Sequence, residues 1–387
     1  MEKLTIITSY YPPEIGAASN RIHHLANALK DEYDVSVITP LPNYPTGKIF
    51  SEYKGRFSNT SHEDGVNVIR LWLYASKSKN KFLRLFAMLS YSLSLSWYFL
   101  WHKLPNRVLV QSPPLLVAFT CMLLLRSKRR KLILNVSDLW PSAGFELGAL
   151  KKNFSYRLLQ KLEKFNYKSA DLILGQSNEI LGHVKTITTK PDLFLYRNFP
   201  DIIPPKLEDS EKKEGDTLKI VYAGLLGFAQ GILELCKKLN YENIELHIYG
   251  SGAEEEQIVT YIEQNKDLPI YFYGRVDRKD LHKVLLQYDI TIIPLLNRIY
   301  GSVPSKIFEY AKLGLPMLYF GGGEGENIIN NYNLGWVAQA GNYSDLNNVL
   351  TKIKITDLNT ERKREIQKTA FKNFDFRAQI EKLLEIL

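Results

Sequence analysis

Cysteine is almost absent. Cys121 and Cys236 are the two in 387 residues, with no Cys-x-x-Cys and no His pair at metal spacing, which excludes a disulfide framework and a structural zinc site and fits a reducing cytoplasm. Asp-x-Asp is missing as well, so no carboxylate pair suited to a divalent ion is expected and the metal reading is none. A cationic start feeding a long apolar run is also lacking: Met1-Glu2-Lys3-Leu4-Thr5-Ile6-Ile7-Thr8 reads as a first strand, not as a secretion signal. Acid is missing from Gly65 to Ser137, where no Asp or Glu occurs and twelve Lys and Arg fall between Arg70 and Lys131. With a net charge of +9 for the whole chain, this one block carries all of the positive excess.

The length suits two domains of roughly 150 to 200 residues each. Apolar strands alternate with helical patterns from Leu4 to Gln176, with the clearest helix from Ser19 to Leu29, and a second alternation runs from Lys219 to Ala338. Both imply α/β domains with doubly wound parallel sheets. The expected divisions are 1–200, a linker at 201–217 rich in Pro, Lys, Glu and Asp, a second domain at 218–372, and an amphipathic terminal helix at 373–387.

The stretch from Tyr300 to Pro316 organises the chain. It joins the β-branched run Ile290 to Leu296 to a second run, Pro316 to Phe320, through a helix with Pro304 and Ser305 at its entrance and Gly314 and Pro316 at its exit. Lys306 in the first turn and free backbone N–H groups, Ser302 and Ser305 among them, suit a phosphate at the carboxyl edge of a sheet. Glu309, one turn on, suits the two hydroxyls of a ribose, so the pair suggests a nucleotide; the plainer alternative is two solvated surface charges. In the same half Gly224-Leu225-Leu226-Gly227 and Gly250-Ser251-Gly252 each follow a strand and either admit a donor backbone-close or merely turn the chain. In the first half Gly16, Asn20 and Arg21 follow strand one and could face a sugar or phosphate. Asp138 follows the strand Leu132 to Val136 and either points into the edge or caps the next helix.

These stretches, with Tyr11-Pro12-Pro13-Glu14-Ile15-Gly16, Pro42-Asn43-Tyr44-Pro45-Thr46-Gly47, Gln111-Ser112-Pro113-Pro114, Asp138-Leu139-Trp140-Pro141, Tyr273-Gly274-Arg275-Val276 and Pro304-Ser305-Lys306-Ile307-Phe308-Glu309-Tyr310, resemble the family 4 glycosyltransferases, in the bacterial branch that builds O-antigen and capsule repeat units. The resemblance spans nearly the whole chain. It implies the GT-B fold, two Rossmann-like domains facing across a cleft, and a retaining transfer of a sugar from a UDP-sugar to an acceptor on a polyprenyl diphosphate, without metal or other cofactor. It places Asp138 near the reacting sugar as a catalytic residue with Lys306 and Arg275, the donor at Gly224, Gly227, Gly250, Ser302, Ser305, Lys306 and Glu309, and the acceptor at Gly16, Asn20 and Arg21. Two departures stand out. The family's Arg and Lys after the first glycine loop are replaced by Phe228, Ala229 and Gln230, which shifts phosphate binding to Lys306 and Arg275. The acidic residue expected eight before Glu309 is Gly301, which leaves the transferred sugar unspecified, with Glu324 and Glu326 as other candidates to meet it.

Phe82 to Trp101 is apolar, aromatic and about as long as a bilayer is thick. Serines at 90, 92, 94 and 96 would also permit a strand, but length favours a helix. Flanking strands of one sheet argue against a crossing, leaving a buried helix or one lying in the membrane interface. The surrounding basic block favours interfacial contact on the inner face of the cytoplasmic membrane, with anionic lipid as partner and no nucleic acid. Two rivals remain: a nucleotide-sugar epimerase of the same fold, and a noncatalytic membrane partner of glycan enzymes.

Overall fold

The computed structural model describes all residues except 77–80, 204–205, 208–212 and 297–298. Lys77 and Lys79 of the basic block and part of the expected linker lie outside the described residues. The chain divides into two compact units, Met1–Arg197 with Arg377–Leu387, and Asn198–Phe376.

The first unit holds β1 (Glu2–Ile7), α1 (Ala17–Leu29), β2 (Tyr33–Pro40), β3 (Ser58–Glu63), β4 (Val66–Leu71), α2 (Lys81–Trp101), β5 (Arg107–Ser112), α3 (Leu115–Leu124), β6 (Lys131–Val136), α4 (Ser142–Glu146), α5 (Phe154–Ser169), β7 (Leu172–Gly175), α6 (Asn178–Ile187) and β8 (Asp192–Leu195). Its strands order as β3-β4-β2-β1-β5-β6-β7-β8. All are parallel except β3, which pairs antiparallel with β4. Two strands were not expected. β3 carries Ser-Asn-Thr-Ser-His-Glu and offers no apolar signal, yet Asp64 and Gly65 between it and β4 both take positive φ (50° and 86°), as a tight hairpin requires. β8 is four residues long.

The chain 82–101 forms the helix α2, and its serines explain themselves at helical spacing. Ser90 Oγ accepts from the backbone N–H of Tyr74 and Ser94 Oγ donates to the carbonyl of Trp72, so one face of α2 is stitched to the segment after β4. Tyr91, fully enclosed, donates toward the carbonyls of Thr8 and Ile38 at the ends of β1 and β2. The outer face leaves Leu93, Trp97, Leu100 and Trp101 exposed. Among the described residues no helix is long and apolar enough to cross a membrane.

The basic block is not one surface patch, which corrects the reading from charge alone. Arg70 on β4 is 1% exposed and pairs with Glu63 while donating to the carbonyl of Pro12. Arg107 binds Glu2 and the carbonyl of Leu387, Arg130 binds three backbone carbonyls, and Lys131 binds the carbonyl of Ile386. A buried cation must be matched by acceptors, as Arg70 is by Glu63, and the other three are engaged within the fold. The exposed remainder includes Lys103, Arg126, Lys128 and Arg129.

The second unit holds β9 (Leu218–Leu225), α7 (Ile232–Lys238), β10 (Ile244–Ser251), α8 (Glu255–Gln264), β11 (Ile270–Gly274), α9 (Arg278–Leu285), β12 (Ile290–Pro294), α10 (Lys306–Lys312), β13 (Met317–Phe320), α11 (Glu324–Asn331), β14 (Gly335–Ala338), α12 (Tyr343–Thr351) and α13 (Thr360–Asn373). Its six parallel strands order as β11-β10-β9-β12-β13-β14. The order reverses beside β9, where a ligand crevice is expected at the carboxyl edge. A last helix, α14 (Phe376–Leu384), lies almost wholly in the first unit, where Gln379 exchanges hydrogen bonds with the backbone of Arg197.

Candidate functional site

At the carboxyl edge of the second sheet, β9 and β10 end side by side with Gly224 opposite Gly250. A Cβ on Gly250 would collide with the carbonyl oxygen of Gly224, and a Cβ on Gly224 would strike the ammonium of Lys306. Both positions also take φ values (157° and 145°) that side chains rarely adopt. The glycines therefore clear a floor onto which Lys306 reaches from α10. Its Nζ donates to the carbonyl of Ala223 at 2.6 Å and stands 4.7 Å above the Tyr222 ring. Tyr310, one turn later, donates to the same carbonyl at 3.2 Å. Enclosure pushes the Lys306 ammonium down to about 8, with Glu309 pulling the other way. A cation so weakly solvated gains more from an arriving anion than one in bulk water.

Glu309 faces α9, where His282 Nε2 lies 2.8 Å from its Oε1. His282 gives no local signal in Arg278-Lys279-Asp280-Leu281-His282-Lys283, because its partner is 27 residues away. At the start of α10 the N–H groups of Ile307 and Phe308 are taken, donating to the carbonyls of Pro304 and Ser305. Ser305, at the N-cap of this seven-residue helix, makes no side-chain cap hydrogen bond. Ser302 turns the chain through its N–H to Ile299. Gly227 anchors a turn, its carbonyl accepting from Gln230 and Gly231.

Arg275 follows β11, two strands from β9, whose end meets Lys306, about 10 Å at ordinary strand spacing. It is exposed, and no hydrogen bond or ion pair joins it to a described residue. Nor is the neighbouring helix start vacant, since Glu254 accepts from the N–H groups of Ile232 and Leu233 at α7. Of the two other carboxylates, Glu324 is buried at the start of α11 and Glu326 lines a cavity of about 630 Å³ with Gly321, Asn330 and Trp336.

In the first unit the expected residues meet differently. Arg21 is 7% exposed; it donates to Gln176 Oε1 and lies in the field of Asp138. Burial lowers the Arg21 pKa and raises that of Asp138, and each opposes the shift in the other. Asp138 does not cap α4, whose start is Pro141 without a side-chain cap. Gly16, at the start of α1, has an extended φ of 171° and room for a Cβ beside Tyr44, so no turn demands it. Asn20 is half-buried on α1. Glu14, missed as a positioning group, is 4% exposed and accepts from the N–H groups of Asn43 and Tyr44, tying the loop after β1 to the loop after β2. Burial raises its pKa against those two bonds. Among the described residues no cluster of His, Cys, Asp and Glu could hold a metal.

The profile of the Glycosyl transferase 4-like domain matches residues 16–192, and that of the Glycosyl transferases group 1 family matches residues 205–372. The chain belongs to the family 4 glycosyltransferases. A curated relative of this glycosyltransferase, the probable glycosyltransferase WbjE of Pseudomonas aeruginosa, is 26% identical over 245 residues, 59% of this chain and 61% of the relative. The alignment thus spans about three fifths of that relative's length. Among solved structures, sucrose-phosphate synthase of Thermosynechococcus elongatus superposes with a TM-score of 0.74 at 13% identity, over 100% of this chain and 98% of that one. HepE of Anabaena, solved with UDP and glucose, gives 0.63 at 13% identity, over 100% and 99%. The lipopolysaccharide outer core galactosyltransferase WaaB gives 0.66 at 14%, over the whole of both chains. These likenesses assign the glycosyltransferase its GT-B fold of two Rossmann-like domains.

Proposed function

We propose that the protein is a retaining glycosyltransferase that moves a sugar from a UDP-sugar to a polyprenyl-diphosphate-linked acceptor in bacterial surface polysaccharide synthesis, at the inner face of the cytoplasmic membrane and without a metal ion. The observation that carries the donor half is Lys306, whose ammonium rests against the Gly224 and Gly250 floor with Glu309 one turn behind it. When the sugar–phosphate bond breaks, charge accumulates on the departing diphosphate, and a fixed cation aimed there lowers the barrier. Lys306 supplies that cation by leaving the carbonyl of Ala223 for a phosphate oxygen. Glu309, braced by His282, accepts the ribose hydroxyls, and the ordered carboxylate saves the entropy of fixing it on binding. The UDP and glucose bound by HepE, which has the same fold, support uridine as the base carrier. Arg275, which follows the outer strand β11, belongs to the nucleotide's far end in this reading and not to the leaving phosphate.

Asp138 orients sugar hydroxyls in the first unit, its pKa raised by burial and drawn back by the nearby Arg21. Gly16 and Asn20 remain on the acceptor side. WbjE as a probable glycosyltransferase, and WaaB as a lipopolysaccharide one, support a bacterial glycan as the product. The experiment is to incubate the protein with a panel of nucleotide sugars and a lipid extract, before and after exhaustive chelation. Transfer from a UDP-sugar that survives chelation is the expected result. Epimerisation alone, or transfer lost on chelation and restored by magnesium or manganese, overturns the reading.

A further inference from the structure

The carboxyl edge of the first sheet carries a cavity of about 490 Å³, a size ordinary for a small-molecule site. Its lining changes character along its length. At the sheet end lie Ser9 after β1 and Asn43 after β2. Ser9 Oγ is buried without a hydrogen-bond partner, which a stable interior seldom tolerates unless something else supplies one. Away from the sheet the walls are Ala87 of α2, Leu115 and Leu116 of α3, and Leu159 of α5. The rings of Tyr10, Tyr74, Tyr91 and Trp140 complete them. A polar end and an apolar barrel describe an amphipathic ligand.

The apolar character does not stop at the cavity. Phe86 on α2, 43% exposed, sets its ring 5.3 Å from that of Tyr74, tilted by 59°. Phe154 and Leu158, one turn apart at the start of α5, are 81% and 50% exposed beside the lining residue Leu159. Around this rim stand exposed cations, Lys151, Lys152 and Arg157, and α5 continues the stripe at helical spacing with Lys161, Lys164 and Lys168. Exposed apolar side chains next to a cationic stripe fit an anionic bilayer surface.

We propose that this cavity seats the phosphate-proximal part of a polyprenyl diphosphate, its head toward Ser9 and its chain leaving between α2 and α5 into an anionic bilayer. The inference rests on the reading of a lipid-linked acceptor and deepens it by naming where the hydrocarbon runs. Charge complementarity selects the occupant: a chain too long for the cavity must continue into a medium whose surface the lysines of α5 match. The aromatic walls suit the flat, unsaturated and branched isoprene units.

Binding of geranylgeranyl diphosphate to the full chain, by calorimetry below its aggregation threshold, tests this against inorganic diphosphate and soluble dihexanoyl phosphatidic acid. The parent should bind geranylgeranyl diphosphate at least tenfold tighter than either. Ala87→Trp and Leu159→Trp, which fill the cavity from opposite walls, should each abolish that preference while leaving inorganic diphosphate and UDP binding as in the parent. As a readout free of any folding defect, geranylgeranyl diphosphate should alter tryptophan emission of the parent and not of Trp140→Phe. Equal affinity for the prenyl and inorganic diphosphates, equal affinity for the phosphatidic acid, or full prenyl binding in both filled variants would overturn the proposal. Loss of UDP binding with prenyl binding intact would instead sink the transfer reading and leave this one standing.

Discussion

The Nζ of Lys306 donates to the carbonyl oxygen of Ala223 at 2.6 Å, across the end of the strand that carries Gly224. The bond holds the ammonium ready but leaves it poorly solvated, and its pKa falls to about 8. A diphosphate arriving here raises that pKa again, so above pH 8 binding must take up a proton. UDP affinity is therefore expected to be flat below pH 7.5 and to weaken about tenfold per pH unit above 8. Lys306→Arg should remove the dependence, since a guanidinium stays charged. Calorimetric titrations from pH 6.5 to 9.5 check this; a parent whose affinity is unchanged at pH 9.5 excludes Lys306 as the phosphate group. The same shift has a sign for stability. A lysine depressed in the fold is protonated more readily in the unfolded chain, so its contribution improves as pH rises from about 8 toward 10.5.

His282 and Glu309 give a second expectation. If His282 braces the ribose carboxylate, His282→Ala should raise KM for the UDP-sugar several-fold with little change in kcat, because the ribose is bound alike in ground and transition states. Glu309→Gln should lose about 1.5 to 3 kcal/mol of UDP affinity, as for a charge-assisted hydrogen bond. The double variant should fall near the single Glu309 variant. Fully additive losses would mean that His282 acts independently of Glu309.

The strand and helix alternation was legible because parallel sheets buried on both faces leave continuous apolar runs, and twelve of the fourteen strands among the described residues announce themselves so. β3 was not, since an antiparallel edge strand of Ser, Asn, Thr and His has no such run. The identities of Lys306, Glu309, Gly224 and Gly250 were legible one by one. Their convergence was not, because it comes from the register of β9 with β10 and from the placement of α10. Charge was the least legible property. Arg70 reads in sequence as one more surface cation, and only the fold shows it enclosed against Glu63, holding the loop after β1 through Pro12.

The Arg21 and Asp138 pair should respond asymmetrically to mutation. Arg21 is the cation that holds down a carboxyl otherwise raised by burial. Arg21→Gln should therefore move the acid limb of the activity profile to higher pH. Asp138→Asn leaves the buried Arg21 without the carboxylate field that opposes its desolvation, so this variant should melt earlier than Arg21→Gln. A pH profile and a thermal melt of both variants decide it. An unmoved acid limb in Arg21→Gln would detach Asp138 from catalysis.

The last expectation concerns the membrane, and the fold changes how it must be tested. A variant that neutralises the whole basic block would mislead, because Lys131 and Arg107 hold the carbonyls of Ile386 and Leu387 and their loss would disturb packing instead of surface charge. The exposed cations are the informative ones. Arg126, Lys128 and Arg129 follow Leu123 and Leu124, which are 51% and 49% exposed at the end of α3. Each cation near an anionic surface contributes about 1 kcal/mol, so Arg126→Gln, Lys128→Gln and Arg129→Gln together should weaken binding to vesicles rich in anionic lipid by about 3 kcal/mol. Trp97→Ala with Trp101→Ala should weaken binding through the apolar term, and unlike the charge variant it should do so at high salt as well, because the charge term alone is screened over about 8 Å at physiological ionic strength. UDP binding should be unchanged in both. Sedimentation with vesicles at low and high salt reads the two terms separately. If the parent fails to sediment with anionic vesicles even at low salt, the exposed face of α2 does not meet a bilayer and the acceptor must reach the enzyme through water.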